Sequence, residues 1–168
     1  VATMYKGSIE VRTPFLYALS FIFLFMIGGL TGLMLGSLAI DVHVHDTAFV
    51  VAHFHYIVFG GMGFAFFAAI HYWYPKMWGK MYNEFRANVA WLITFVGFNV
   101  LYFPLFIIGI QGMPRRYFDY LPEFHMGHLI SSIGAVILLT GIFLMIWNLL
   151  RARKDGAIAG PNPWGGKT

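Results

Sequence analysis

The sequence contains no cysteine and few charged residues. Among its 168 residues only 11% are Asp, Glu, Lys or Arg. The missing thiols exclude disulfides and thiolate metal sites, so any bound metal must use imidazole, carboxylate or carbonyl ligands. The scarcity of charge, together with 59% hydrophobic residues and a mean hydropathy of +0.70, argues against an ordinary water-soluble fold and favours a chain surrounded by lipid.

The basic residues form no continuous stripe. The formal net charge is +4, but the Lys and Arg residues are scattered between apolar segments. Binding to nucleic acid requires a concentrated basic patch. We therefore predict no nucleic-acid partner.

Four long apolar segments divide the chain. A helix needs ~20 mostly apolar residues to cross the hydrocarbon layer with its backbone groups satisfied. Short connections between such helices favour one bundle without a separate soluble domain. The sequence therefore predicts an all-α polytopic membrane protein over residues 1–168, with spans at about 14–40, 47–73, 87–110 and 127–150.

The distribution of basic residues predicts the orientation. Nine of the eleven Lys and Arg residues fall on one side of the predicted spans. Cytoplasmic loops are enriched in these residues, so both termini are expected inside. Arg115 and Arg116 fall on the other side, where they need a local anionic partner; alternatively they extend to water or to lipid phosphate. The nine are Lys6, Arg12, Lys76, Lys80, Arg86, Arg151, Arg153, Lys154 and Lys167.

Two histidines lie within the second predicted span. His53 and His55 are two residues apart, which on an α-helix separates their directions by roughly 200°. They cannot chelate one ion, whereas two ligands on opposite sides suit two separate centres that each take one axial imidazole, as hemes do. The alternative is a pair of imidazoles that only hydrogen-bond to neighbouring helices. Polar groups inside a membrane are functional candidates by default.

Two other features suggest packing roles. His71 ends the second predicted span among aromatic residues, so we predict that it belongs to an interfacial aromatic belt. The glycines at 28–32 are predicted to allow close helix packing.

Several motifs resemble one family in the same order. The run HDTAFVVAHFHY at 45–56 is similar to the signature of subunit I of the heme-copper terminal oxidases, with Ala48 where the family usually has an aromatic residue. SFIFLFMIGGLTG at 20–32, GMPRRY at 112–117, SSIG at 131–134 and NPWGG at 162–166 resemble the same subunit. The resemblance covers essentially the whole chain and implies the last four helices of a twelve-helix bundle.

The resemblance implies ligands for two hemes. His53 is expected to be the proximal axial ligand of the high-spin heme, heme a3, and His55 an axial ligand of the low-spin heme, heme a. Phe54 is expected to lie between the two macrocycles on a route for electrons.

The resemblance also implies roles on the outer side. His45 and Asp46 are expected to bind Mg2+ or Mn2+ together with a residue of subunit II, since such hard cations take oxygen ligands and retain water. Arg115 and Arg116 are expected to bind heme propionates, which suit planar guanidinium groups. Asp41 and His45 are expected to contact a propionate of the high-spin heme.

The implied activity is that of cytochrome c oxidase, which reduces O2 to water with four electrons from cytochrome c and moves protons across the membrane. The family's copper ligands and second low-spin heme ligand belong to earlier helices, so this chain is expected to be part of a longer or split subunit and inactive alone. Expected partners are the rest of subunit I, subunits II and III, and membrane lipid. The expected location is a bacterial or archaeal plasma membrane, or alternatively the mitochondrial inner membrane.

Two other functions stay open. A quinol oxidase of the same superfamily would keep nearly all of these residues. A polytopic membrane protein without cofactor, such as a transporter or assembly scaffold, would use the histidine pair only for packing.

Overall fold

The computed structural model of the chain describes residues 1–165, so the last residue of the NPWGG motif and Lys167 lie outside the described part. The described residues are mainly helical, with one small antiparallel sheet. In chain order the elements are α1 (Thr13–Gly36), α2 (Leu38–Val44), α3 (Ala48–Ile57), a π-helix (Val58–Gly63), α4 (Phe64–Trp78), β1 (Lys80–Met81), α5 (Glu84–Ile110), a 3-10 turn (Pro122–Phe124), α6 (His125–Asp155) and β2 (Ala157–Ile158).

Four helical stretches are long and apolar enough to cross a membrane. They are α1, the continuous run from α3 to α4, α5, and α6 with its preceding 3-10 turn. Large apolar side chains remain exposed along all four, as Leu33, Phe66, Phe103 and Phe143 illustrate. Exposure of this kind is normal against lipid or neighbouring helices and is costly in water.

The first span is shorter than the sequence predicts. α1 ends at Gly36 because Ser37 leaves the helical region, with φ −91° and ψ 115°. The polar residues that follow, including Asp41, lie on the separate short helix α2. At the opposite end, the Thr13 backbone N–H and hydroxyl both donate to Glu84 Oε1, at 2.6 and 2.8 Å, which fixes the start of α1 against the start of α5.

The second span is longer than the sequence predicts. It continues past residue 73 to Trp78, and it ends at Gly79, whose φ of 65° is the left-handed conformation that glycine adopts without strain. The Gly79 N–H donates to the Pro75 carbonyl at 2.8 Å. Pro75 lies inside the last turns of this helix without ending it.

The second span packs against both α1 and α5. α1 packs along α3 and α4, α5 packs against α3 and also contacts α1, and α6 packs along α5. Aromatic rings fill the contact between the spans, notably Tyr17, Phe59, Phe64 and Phe98. Side chains that leave α3 in different directions therefore meet different helices.

Glycines bring α5 and α6 into backbone contact. A Cβ added at Gly141 of α6 would lie 2.6 Å from the Thr94 backbone nitrogen of α5, and Gly97 and Gly134 are equally tight against the facing backbone. Small residues allow this approach, which maximises van der Waals contact between helices in lipid. The predicted close packing of the first span is present at Gly28, where a Cβ would lie 3.0 Å from the Ile57 nitrogen, but not at Gly29, where a Cβ would meet nothing within 4 Å.

Candidate functional site

His53 and His55 face different helices. The Nδ1 atom of His53 lies 2.9 Å from the Gly28 carbonyl oxygen of α1, and Thr31 Oγ1 is 3.2 Å from the same nitrogen. The His55 ring stacks on Tyr102 of α5, with centroids 4.2 Å apart and an interplanar angle of 18°. The His53 ring is thus held against α1 and the His55 ring against α5, so the two rings cannot share one ion.

Both rings use the same nitrogen for hydrogen bonding. His53 Nδ1 faces the Gly28 carbonyl, and His55 Nδ1 lies 2.8 Å from the Val51 carbonyl one turn earlier in its own helix. A carbonyl only accepts, so each Nδ1 must carry the proton. Each Nε2 then keeps its lone pair, and within residues 1–165 neither Nε2 has a hydrogen-bond partner. A histidine that ligates a metal commonly has its other nitrogen fixed in this way.

The His53 ring fits closely against α1. A Cβ added at Gly32 would lie 2.9 Å from His53 Cε1, so any side chain there would displace the imidazole. Phe54, between the two histidines, is 39% exposed, and its ring centroid is 4.4 Å from that of His55.

The loop after α5 is joined to the start of α3. The Ala48 N–H donates to the Met113 carbonyl at 2.8 Å, and the Arg115 N–H donates to the Asp46 carbonyl at 2.9 Å. Asp46 and Arg116 both have positive φ values, of 54° and 68°. This backbone pairing fixes the adjacent arginines above the histidine-bearing helix.

Only one of the two arginines has an anionic partner among the described residues. The Arg115 guanidinium forms an ion pair with the Asp46 carboxylate, while its Nε is buried without a partner in the described part of the chain. Arg116 is exposed and makes no ion pair within residues 1–165. A cavity of about 360 Å³ opens beside both arginines and extends past Val51 and Leu101 to Ser131.

The acidic and histidine residues before α3 are close but incomplete as a metal site. His45 Nδ1 is 3.4 Å from an Asp41 carboxylate oxygen, and His45 Nε2 is 3.8 Å from Asp46. His45 is 69% exposed at its side chain. No group of three or more His, Asp or Glu side chains able to hold a metal occurs among the described residues. The magnesium or manganese site therefore stays a prediction that requires a ligand from elsewhere.

The prediction for His71 was wrong. Its side chain is fully buried, stacks on Tyr17 with centroids 5.1 Å apart, and lies edge-on to Tyr82 at 5.0 Å. Because the helix continues to Trp78, His71 lies about two turns before its end, with its side chain inside the bundle and not in an exposed belt. Its Nε2 is buried without a partner among the described residues, as is Tyr82 Oη. Gly79 was the sequence signal that could have shown where the helix ends, because glycine commonly follows the last helical residue in a left-handed conformation.

Comparison with known proteins identifies the family. The family model described as cytochrome c and quinol oxidase polypeptide I matches residues 1–137. Cytochrome c oxidase subunit 1 of Thermostichus vulcanus is 42% identical over 168 residues, which is all of this chain and 30% of that protein. The Bacillus subtilis (strain 168) subunit is 40% identical over 164 residues, covering 96% of this chain and 26% of that protein.

A solved structure gives the same result. A heme-copper terminal oxidase dimer determined by cryo-electron microscopy aligns with a TM-score of 0.78 and 27% identity, covering 90% of this chain and 28% of that chain. The chain thus spans less than a third of the length of the relatives it matches. These matches confirm the predicted all-α polytopic membrane fold and the predicted family. This chain belongs to the subunit I family of the cytochrome c and quinol oxidases.

Proposed function

We propose that this chain supplies one axial ligand to each of two hemes in a terminal oxidase. His53 would ligate the high-spin heme, heme a3, and His55 the low-spin heme, heme a. The observation that carries the proposal is the matched pair of imidazoles, each with Nδ1 fixed on a carbonyl and Nε2 free of hydrogen bonds within residues 1–165. Iron in such a site takes a neutral imidazole nitrogen, and the bound group supplies the electron transfer and oxygen chemistry.

The chain's own residues would hold and orient these ligands. Gly28 and Val51 fix the protonated nitrogen of each ring, and the Tyr102 ring fixes the plane of His55. Hydrogen bonds to the second nitrogen of a ligating histidine increase its basicity and hold its orientation. Phe54 would lie on the route between the two centres, since it is adjacent in sequence to both ligands.

The arginines would bind the heme propionates. Arg115 has a buried, unpartnered Nε, and Arg116 has no ion pair in the described part, so both retain donors for carboxylates. Asp41 would contact a propionate only with a proton or a cation between the two carboxylates. His45, 3.4 Å from Asp41, is positioned to supply that positive charge. His45 and Asp46 would bind Mg2+ or Mn2+ jointly with subunit II.

The complete enzyme would reduce O2 to water and translocate protons. Cytochrome c is the proposed donor, because the relatives compared are cytochrome c oxidase subunits. Copper, the remaining heme ligands, and subunits II and III would complete the site, and the chain alone would be inactive. Both termini would face the inside of a bacterial or archaeal plasma membrane, as the eight basic residues between positions 6 and 154 on one side indicate.

Optical spectra of the purified complex test the two ligand assignments. Replacing His55 by Leu should abolish the low-spin heme band, whereas replacing His53 by Leu should abolish the carbon monoxide difference spectrum of the high-spin heme. His43→Gln is the matched control, because His43 is an exposed histidine on α2, ten residues before His53. Retention of both signals in both leucine variants would contradict the proposal.

A further inference from the structure

Two arginines flank one tryptophan at the basic end of α5 and α6. The guanidinium carbons of Arg86 and Arg151 lie 5.2 and 5.6 Å from the centroid of the Trp147 ring. Cation–π attraction holds each arginine against the ring. The result is two like charges next to one exposed aromatic residue, and both arginines line the same cavity. Such an arrangement favours an anion that contacts both guanidinium groups.

The carboxylates of the described residues neutralise this pair only partly. Asp155 lies 3.7 Å from Arg151 Nε, a long and solvent-exposed ion pair. Arg86 makes no ion pair within residues 1–165; its backbone N–H donates to the Asn83 side chain, which caps α5. The local charge therefore stays positive, although Glu84 in the first turn of α5 offsets part of it.

Two adjoining cavities meet at Arg86. One, of about 340 Å³, is lined by polar groups that include Arg86, Arg151 and the buried Asn148. The other, of about 130 Å³, is lined by Phe85, Val89, Leu144 and Trp147, which are apolar, and again by Arg86. A polar, cationic cavity next to an apolar groove matches a ligand with a charged head and a hydrocarbon tail.

The position relative to the membrane identifies the class of ligand. Trp147 is in the part of α6 that approaches its basic end, where tryptophan is enriched at the boundary between hydrocarbon and headgroups. Leu144 and Val89 lie about one turn farther from this end, on the hydrocarbon side of the arginines. Anionic lipid headgroups attract arginines at this depth.

We propose that the groove between α5 and α6 binds an anionic phospholipid. Its phosphate lies between Arg86 and Arg151, and one acyl chain follows Val89 and Leu144. The guanidinium groups supply paired donors to phosphate oxygens, which an ammonium group cannot reproduce with the same geometry. The lipid comes from the leaflet at the basic end of the bundle. This inference does not depend on heme binding.

Lipid titration of the purified oxidase complex tests the proposal. The probe is phosphatidylglycerol, with phosphatidylcholine as the neutral lipid, and the readout is bound lipid per complex by native mass spectrometry. Each of Arg86→Gln and Arg151→Gln should weaken phosphatidylglycerol binding at one site by about fivefold, and the double variant by about 25-fold. Arg151→Lys should weaken binding less than Arg151→Gln does, because the ammonium group keeps the charge but not the paired donors. Phosphatidylcholine binding should not change.

Arg153→Gln is the matched control. Arg153 is on the last turns of the same helix, but its guanidinium lies 4.0 Å from the Trp78 ring and lines neither cavity. Equal loss of phosphatidylglycerol in this control and in the double variant would overturn the site, as would unchanged binding in the double variant. A photo-crosslinker at position 147 that captures a protein subunit in place of lipid would also overturn it. The single variants keep the test available if the double variant does not assemble.

Discussion

Replacing Gly141 by Ala should destabilise the bundle. The added Cβ would lie 2.6 Å from the Thr94 backbone nitrogen and 2.5 Å from Thr94 Oγ1, whereas ordinary contact starts at 3.4 Å. The methyl group is therefore about 0.8 Å too close to backbone, which has no rotamer to move. Thr94 is fully buried and its hydroxyl donates to the Ala90 carbonyl at 2.7 Å, so the side chain cannot move freely either.

The expected cost follows from two opposing effects. Overpacking of a tight interface costs ~1–3 kcal/mol. Removing a glycine from a helix returns up to ~1 kcal/mol. The net expectation is a loss of up to ~2 kcal/mol, because α5 and α6 must separate along a contact that Gly97 and Gly134 share.

Gly29→Ala is the matched control. An added Cβ at Gly29 meets nothing within 4 Å, so only the gain in helix propensity applies and the variant should be neutral or slightly more stable. Both variants can be compared in the purified complex by equilibrium unfolding in mixed micelles, followed by circular dichroism. If Gly141→Ala were as stable as Gly29→Ala, the steric reasoning would be refuted.

Two further predictions concern groups outside the spans. Burial raises the pKa of Tyr82, and the Glu84 carboxylate raises it further, so this phenol stays protonated in the fold while it ionises near pH 10 when unfolded. The contribution of neutral Tyr82 to the free energy of unfolding is therefore complete below about pH 10 and is lost as the pH rises above it. Tyr82→Phe should move the alkaline unfolding midpoint to higher pH. An unchanged midpoint would contradict this. A double-mutant cycle of Asp46→Asn and Arg115→Gln should give a coupling of up to ~1 kcal/mol, reduced by the exposure of Asp46; zero coupling in thermal unfolding would show that the ion pair contributes nothing.

The directions of His53 and His55 could be predicted from the sequence because they depend only on local helical geometry. Two residues of separation determine the angle wherever the helix is regular, and α3 is regular through Ile57. Which helix each ring would meet was not predictable. The contacts with Gly28 and Tyr102 depend on the order in which the spans pack.

The partner of Arg115, in the loop after α5, could not be predicted because it is distant in sequence. Arg115 was predicted to need an anion, yet Asp46 is 69 positions earlier and carries no local pattern that marks it as the partner. The pairing arises because the loop after α5 forms backbone hydrogen bonds with the residues around the start of α3. Similarly, the glycines of α5 and α6 do not show from spacing alone that they face one another across the interface.

The π-helical stretch in the second span changes the directions of the α4 side chains relative to those of α3. The Phe64 N–H bonds back to the Phe59 carbonyl, five residues earlier, so the winding between Val58 and Gly63 differs from that on either side. A helical wheel drawn from His53 therefore misplaces His71. Loss of one residue that converted this stretch to regular α-winding would leave the buried imidazole facing Tyr17, because a π-turn takes up one extra residue. Loss of one residue with the π-turn retained would instead turn His71 by about 100° relative to the ligand pair. An insertion or deletion that a loop tolerates would here change which helix the following side chains face, unless a π-turn takes it up.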